Sequence, residues 1–132
     1  MAISIRGAAG AWVASNATTQ TVTLPTHAAG DMLIVRAAQK PYSASPTCAT
    51  SGWAEAGTAF PNGTTANGNG TGSVILIAFW KIANSAAETS PVVTWNTTSA
   101  PGACCPVVYQ CGADESFIAA VGAGGGDRKR VV

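Results

Sequence analysis

From Gly57 to Ser73 the chain is built mostly of Gly, Asn, Thr, Ala and Ser, and directly after it comes Val74-Ile-Leu-Ile-Ala-Phe-Trp-Lys81. The first stretch has little to bury, whereas the second must leave water. A β-strand deep in a sandwich, fed by a long exposed loop, satisfies both demands. The residue types carry the same message. Val and Ile together outnumber Leu 18 to 3, and there are 15 Thr. Such β-branched side chains suit a pleated, half-buried surface. Helix formers are scarce, so an all-β fold is expected. With 132 residues the chain is one domain, able to bury roughly two thirds of its unfolded surface. Ala, Gly, Ser and Thr make up half of it, which leaves a thin core anchored by four Trp. A net charge of only +1 argues against disorder.

Alternation and turn residues divide the chain into short strands. Ile3 to Arg6 is a first strand, interrupted by Gly7 to Gly10. Thr18 to Leu24 alternates, with Gln20, Val22 and Leu24 on one face, until Pro25 stops it. Ala28 to Asp31 reads as a turn. Met32 to Ala38 follows, with Leu33, Val35 and Ala37 on one face; Met32, Ile34 and Arg36 share the other, which meets solvent or a partner near Arg36. Ser51-Gly52-Trp53 opens an extended segment ending near Phe60. Val74 to Lys81 is a central strand with two apolar faces. Ala83 to Glu88 is long enough for a single helical turn. Pro91 to Trp95, Pro106 to Tyr109 and Ser116 to Val121 complete the pattern. Six to eight strands separated by turn signals predict a single antiparallel β-sandwich, jelly-roll or immunoglobulin-like, over residues 1–121. Residues 122–132 form a Gly-rich basic tail, expected to be flexible.

No constellation of reactive groups emerges. Gly122 to Gly126 is followed by too few residues for the helix a phosphate-binding turn requires, and Gly68-x-Gly70-x-Gly72 precedes a strand. The carboxylates Asp31, Glu55, Glu88, Asp114, Glu115 and Asp127 all fall in expected loops or turns. His27, the sole histidine, has no evident catalytic partner. Cys48, Cys104, Cys105 and Cys111 lack the spacing of a zinc site. Free buried thiols are the favoured state, with a Cys105–Cys111 bridge across a hairpin, or a bridge from Cys48, as alternatives. Four Asn-x-Ser/Thr sequons, at Asn16, Asn62, Asn69 and Asn96, follow from composition. The chain is therefore read as non-enzymatic, with no metal or cofactor. Trp80 and Trp95 belong to the core, Trp53 covers one end of the sandwich, and Trp12 is the exposed aromatic.

Charged residues are only 10% of the chain, which protects poorly against association and favours a subunit of an assembly. Three of the seven cations lie at the end, Arg128, Lys129 and Arg130. That is too few for strong nucleic-acid binding. Met1 to Arg6 lacks the pattern of a signal peptide, and Val74 to Trp80 is too short to cross a bilayer. Synthesis in the host cytoplasm, with no membrane partner, is the expectation.

The order of these features, Thr23-Leu-Pro25, Ala29-Gly-Asp31-Met-Leu-Ile-Val35, Ser51-Gly-Trp53, a Gly/Asn/Thr loop, Gly72-Ser-Val74 running to Phe79-Trp80-Lys81, and Glu88-Thr-Ser-Pro91, resembles β-sandwich modules of tailed-bacteriophage virion proteins. The resemblance covers about residues 18 to 95; the four cysteines are not part of it. It implies a structural role on the virion surface. The first expectation is a capsid decoration (cement) protein, contacting the major capsid protein and copies of itself, as a homotrimer. The second is a receptor- or carbohydrate-binding module of a tail fibre or adhesin, with surface glycans as ligands. Trp12, Phe60, Asn62, Asn67, Asn69, Arg128, Lys129 and Arg130 are the expected contact residues.

Overall fold

The computed structural model describes residues 3–8, 10–40, 45–57, 60–62, 74–95 and 102–111. Within them the chain is all-β and consists of two antiparallel sheets. The strands are β1 (Ile3–Ile5), β2 (Val13–Ser15), β3 (Thr19–Thr21), β4 (Met32–Gln39), β5 (Thr47–Cys48), β6 (Ala54–Glu55), β7 (Phe60–Asn62), β8 (Val74–Ile82), β9 (Val92–Thr94) and β10 (Gly102–Cys111). The larger sheet runs β1-β10-β4-β8-β6, with β2 sharing the β1 edge and β7 the β6 edge. The smaller runs β3-β9-β5.

The alternation expected for β4 holds. Leu33, Val35 and Ala37 are fully buried, and Met32, Ile34 and Arg36 on the other face are half-buried. On β8 the residues Ile75, Ile77 and Phe79 are buried. These side chains face the smaller sheet, which contributes Val22, Val93 and Trp95 to one core cluster, with Leu24 and Cys48 packed against it. Gln20 and Val22 point inward between exposed Thr19, Thr21 and Thr23, as the alternation predicts.

Four expectations are corrected. β8 is buried on one face only: Leu76 is 40% exposed, and Trp80, assigned to the core, is half-buried on that outer side. Trp53 is not an end cover but belongs to the core cluster. Ala83 to Glu88 forms bends and no helical turn; the Glu88 carboxylate accepts from the Asn84 and Ser85 N–H groups instead. Strand β10 spans ten residues where only Pro106 to Tyr109 was expected. It tolerates Pro106 for a local reason. The Pro106 carbonyl accepts from Gly10 N–H at 2.9 Å, on the β1–β2 side. A strand residue directs its N–H and C=O to the same side, so the proline's missing donor faces the gap between β1 and β2. The chain crosses that gap tightly, because a Cβ on Gly10 would stand 2.5 Å from the Pro106 ring.

The length of β10 also decides the cysteines. Cys105 and Cys111 lie on one strand, about 20 Å apart at the usual rise per residue, so a bridge across a hairpin is excluded. Cys104 faces the core and Cys105 the opposite side of the sheet, and Cys48, Cys104 and Cys105 are free thiols. The tail 122–132, the strand Ser116 to Val121 and most of the loop 57–73 lie outside the described residues.

Candidate interaction surface

Among the described residues, Asp31, Glu88 and His27 are committed to structural bonds, whereas Glu55 lies exposed on β6. Asp31 is 3% exposed. Its carboxylate pairs with Arg6 at 2.5 Å and accepts from the Ala28 N–H at 2.8 Å, closing the turn before β4. Glu88 pairs with Lys81 at 2.6 Å. The Lys81 hydrogen bond, outweighing burial, holds the Glu88 carboxyl below its ordinary value of 4.5. His27 is buried between backbone groups. Nδ1 lies 2.7 Å from the Pro25 carbonyl and Nε2 accepts from the Glu88 N–H at 3.2 Å, which leaves Nδ1 to donate to the carbonyl. Burial pushes the Cys104 thiol up to about 12, with Cys48 and Cys105 adding to it. Such a thiol is a poor nucleophile. Among the described residues, no three His, Cys, Asp or Glu gather into a metal site.

The outer face of the larger sheet offers something different. Register and alternation put Met32, Ile34, Arg36 and Ala38 of β4 beside Ile82, Trp80, Ala78 and Leu76 of β8. On the other flank they meet Tyr109, Val107, Cys105 and Ala103 of β10. Ile5 pairs with Tyr109, and Ile3 with Cys111. Among the described residues of these strands Arg36 is the one charged group on the face, which Tyr109 joins with a hydroxyl. Ile3 is 51% exposed, Ile5 47% and Leu76 40%. A shallow groove of about 330 Å³ is lined by Met32, Ile34 and Trp80, with Glu55 of β6 at its side.

Arg36 is masked. The Trp12 ring lies over its guanidinium, 5.6 Å from ring centroid to carbon, a cation–π distance. Its Nη2 donates to Cys105 Sγ at 2.9 Å, and that thiol donates to the Gly10 carbonyl at 3.0 Å. The segment joining β1 to β2 is thereby pinned to the outer face, with Trp12 left 48% exposed. On an antiparallel sheet polar residues usually face water, and this face departs from that pattern, which makes it the candidate interaction surface.

Of the contact residues expected from sequence, Trp12 is on this surface. The backbones of Phe60 and Asn62 pair with Leu76 and Val74, at its β8 margin. Asn67, Asn69, Arg128, Lys129 and Arg130 lie outside the described residues. Ile3, Ile5 and Leu76 were not anticipated as contacts. The available signal was the mixed face of β4 around Arg36, and it needed the pairing of β1, β8 and β10 to become a surface. No protein-family model, curated protein or solved structure matches this chain.

Proposed function

We propose that this protein is a structural subunit of a virion surface, a capsid decoration (cement) protein that works by contact and not by chemistry. The observation that carries the reading is the outer face of the larger sheet, apolar across its strands, with Ile3, Ile5, Leu76 and Trp12 open to solvent. Each copy buries this face against the shell and against sister copies. About 800 Å² per partner is usual for a stable contact, and a closed ring, here a trimer, adds avidity. The proposed location rests on the resemblance of residues 18 to 95 to phage virion modules.

A second reading has its own support. Trp12, half-exposed over Arg36, presents an aromatic ring beside a charged group, as a carbohydrate- or receptor-binding module of a tail fibre requires. Counting copies in purified virions by quantitative mass spectrometry separates the two. Hundreds per particle support decoration; a handful support the fibre module. Clear micromolar binding on a glycan array, lost in Trp12→Ala, displaces the first reading.

A further inference from the structure

We infer that the open side of the sandwich beside β3 is an acceptor slot for one extended, uncharged peptide segment of a partner protein, which pairs with β3 as a fourth strand of the smaller sheet. A three-stranded sheet cannot cover a larger one that is five strands across. The uncovered part is a cavity of about 310 Å³. Its lining includes Gln20, Val22 and Leu24, which point inward, and also Thr21 and Thr23, which point outward. A cavity touching both faces of a strand lies along that strand's edge. Cys104 and Pro106, on the inner face of β10, form its floor, and Ala8, Gly10, Ala11 and Val13 line it from the segment between β1 and β2.

Hydrogen bonding makes the edge receptive. The Val22 N–H donates to the Pro91 carbonyl and the Trp95 N–H to the Thr18 carbonyl, both at 2.9 Å. In an antiparallel ladder alternate residues bond to the same neighbour. Residues 18, 20 and 22 therefore turn to β9, and the N–H and C=O groups of Thr19, Thr21 and Thr23 turn to the slot, where, among the described residues, no strand follows β3. Gln20 lines the slot from its inner side. It is 8% exposed, its Nε2 donates to the Val13 carbonyl at 2.9 Å, and its Oε1 has no partner. A buried amide oxygen without a donor is costly, which makes the Gln20 side chain a sensitive reporter of any change in the slot it lines.

These features select the occupant. A row of alternating main-chain donors and acceptors is matched by an extended peptide backbone. None of the lining residues is charged, so a charged side chain pointing inward would lose its hydration without compensation. The inward side chains must be apolar and small, to pack on Val22, Leu24 and Pro106. This inference does not depend on the outer face being an interface, because the slot opens between the sheets.

The test uses the full chain, labelled with ¹⁵N, and a capped heptapeptide alternating Thr and Val as probe. A second peptide carries Asp in place of each Val. The expected result is saturable shifts at Thr21, Thr23 and the Gln20 side chain, with exchange of the Thr21 and Thr23 amides slowed about tenfold or more. The Asp peptide should do neither. Thr21→Pro deletes one slot-facing donor without touching the β3–β9 bonds, and should abolish binding while thermal unfolding stays cooperative. If that variant does not fold, the exchange data on the unaltered protein decide alone. Shifts confined to the outer face, equal binding of the Asp peptide, or Thr21 and Thr23 amides already protected before any peptide is added would each overturn the proposal. The last outcome would mean that the chain fills its own slot.

Discussion

The two faces of the larger sheet are both apolar, and they have different fates. Inward, Leu33, Val35, Ile77 and Phe79 are buried under the smaller sheet at 0–2% exposure. Outward, on the same strands, Ile34, Trp80 and Leu76 are half-buried or exposed. Apolar side chains stand on both sides; among the described residues only one side has a second layer. The difference teaches that apolar residues in a strand record the need to leave water, but not whether the fold or an assembly meets it. Inner-face changes should therefore act on folding, and outer-face changes on association.

The largest effect is expected at the inner face. Phe79→Ala removes a side chain that is 1% exposed and should cost about 3–5 kcal/mol, measured by denaturant unfolding. A wild-type-like midpoint would mean that Phe79 is not the centre of the core. Next comes Gly102→Ala. A Cβ there would stand 2.6 Å from the Trp95 ring, so overpacking should cost about 1–3 kcal/mol, visible as a lowered melting temperature. Loss of the His27 ring should cost a similar amount. His27→Ala leaves the half-buried Pro25 carbonyl and Glu88 N–H without their partner.

The pH dependence sharpens the same contrast, since it reports on groups tied into the fold. Glu88 has its folded value lowered from 4.5 by Lys81. Its contribution is fully present above 4.5 and is lost as pH falls through the lowered value. Glu88→Gln should flatten the acid side of the stability curve. Cys104 runs the opposite way. Its folded value is raised from 9.0 to about 12, so its contribution is present below 9.0 and is lost as pH rises toward 12. Cys104→Ala should reduce the alkaline loss, and a stability curve with an unchanged alkaline side would contradict the burial of this thiol. The smallest effect on stability, within about 1 kcal/mol, is expected for Leu76→Ser on the outer face; its consequence should appear in association.

Much of the architecture was legible because alternation is a local property. The inward sets of β4 and β9, and the Gln20-Val22-Leu24 row, could be read from period two alone. Strand β10 could not, because Gly102 and Pro106 are both strand breakers by type. Its continuity depends on Pro106 facing the gap beside Gly10, which is a matter of neighbours distant in sequence. Strands β5 and β6 have two residues each, too few to show a period. Trp80 was assigned to the core because Phe79 and Trp80 look equivalent in a strand with two apolar faces; only the position of the smaller sheet distinguishes them. In the candidate surface, Trp12 was recognisable as exposed. The Arg36 and Cys105 groups it covers come from β4 and β10, and their meeting required the register between those strands.

Sedimentation velocity over a range of concentrations, on the unaltered protein and on an Ile5→Glu, Leu76→Glu double variant, addresses the outer face most directly. The unaltered protein should sediment as a closed oligomer, and the variant as a monomer with its melting temperature nearly unchanged. A monomer at every concentration for the unaltered chain, or an oligomer that survives both charges, would contradict an outer face built for contact.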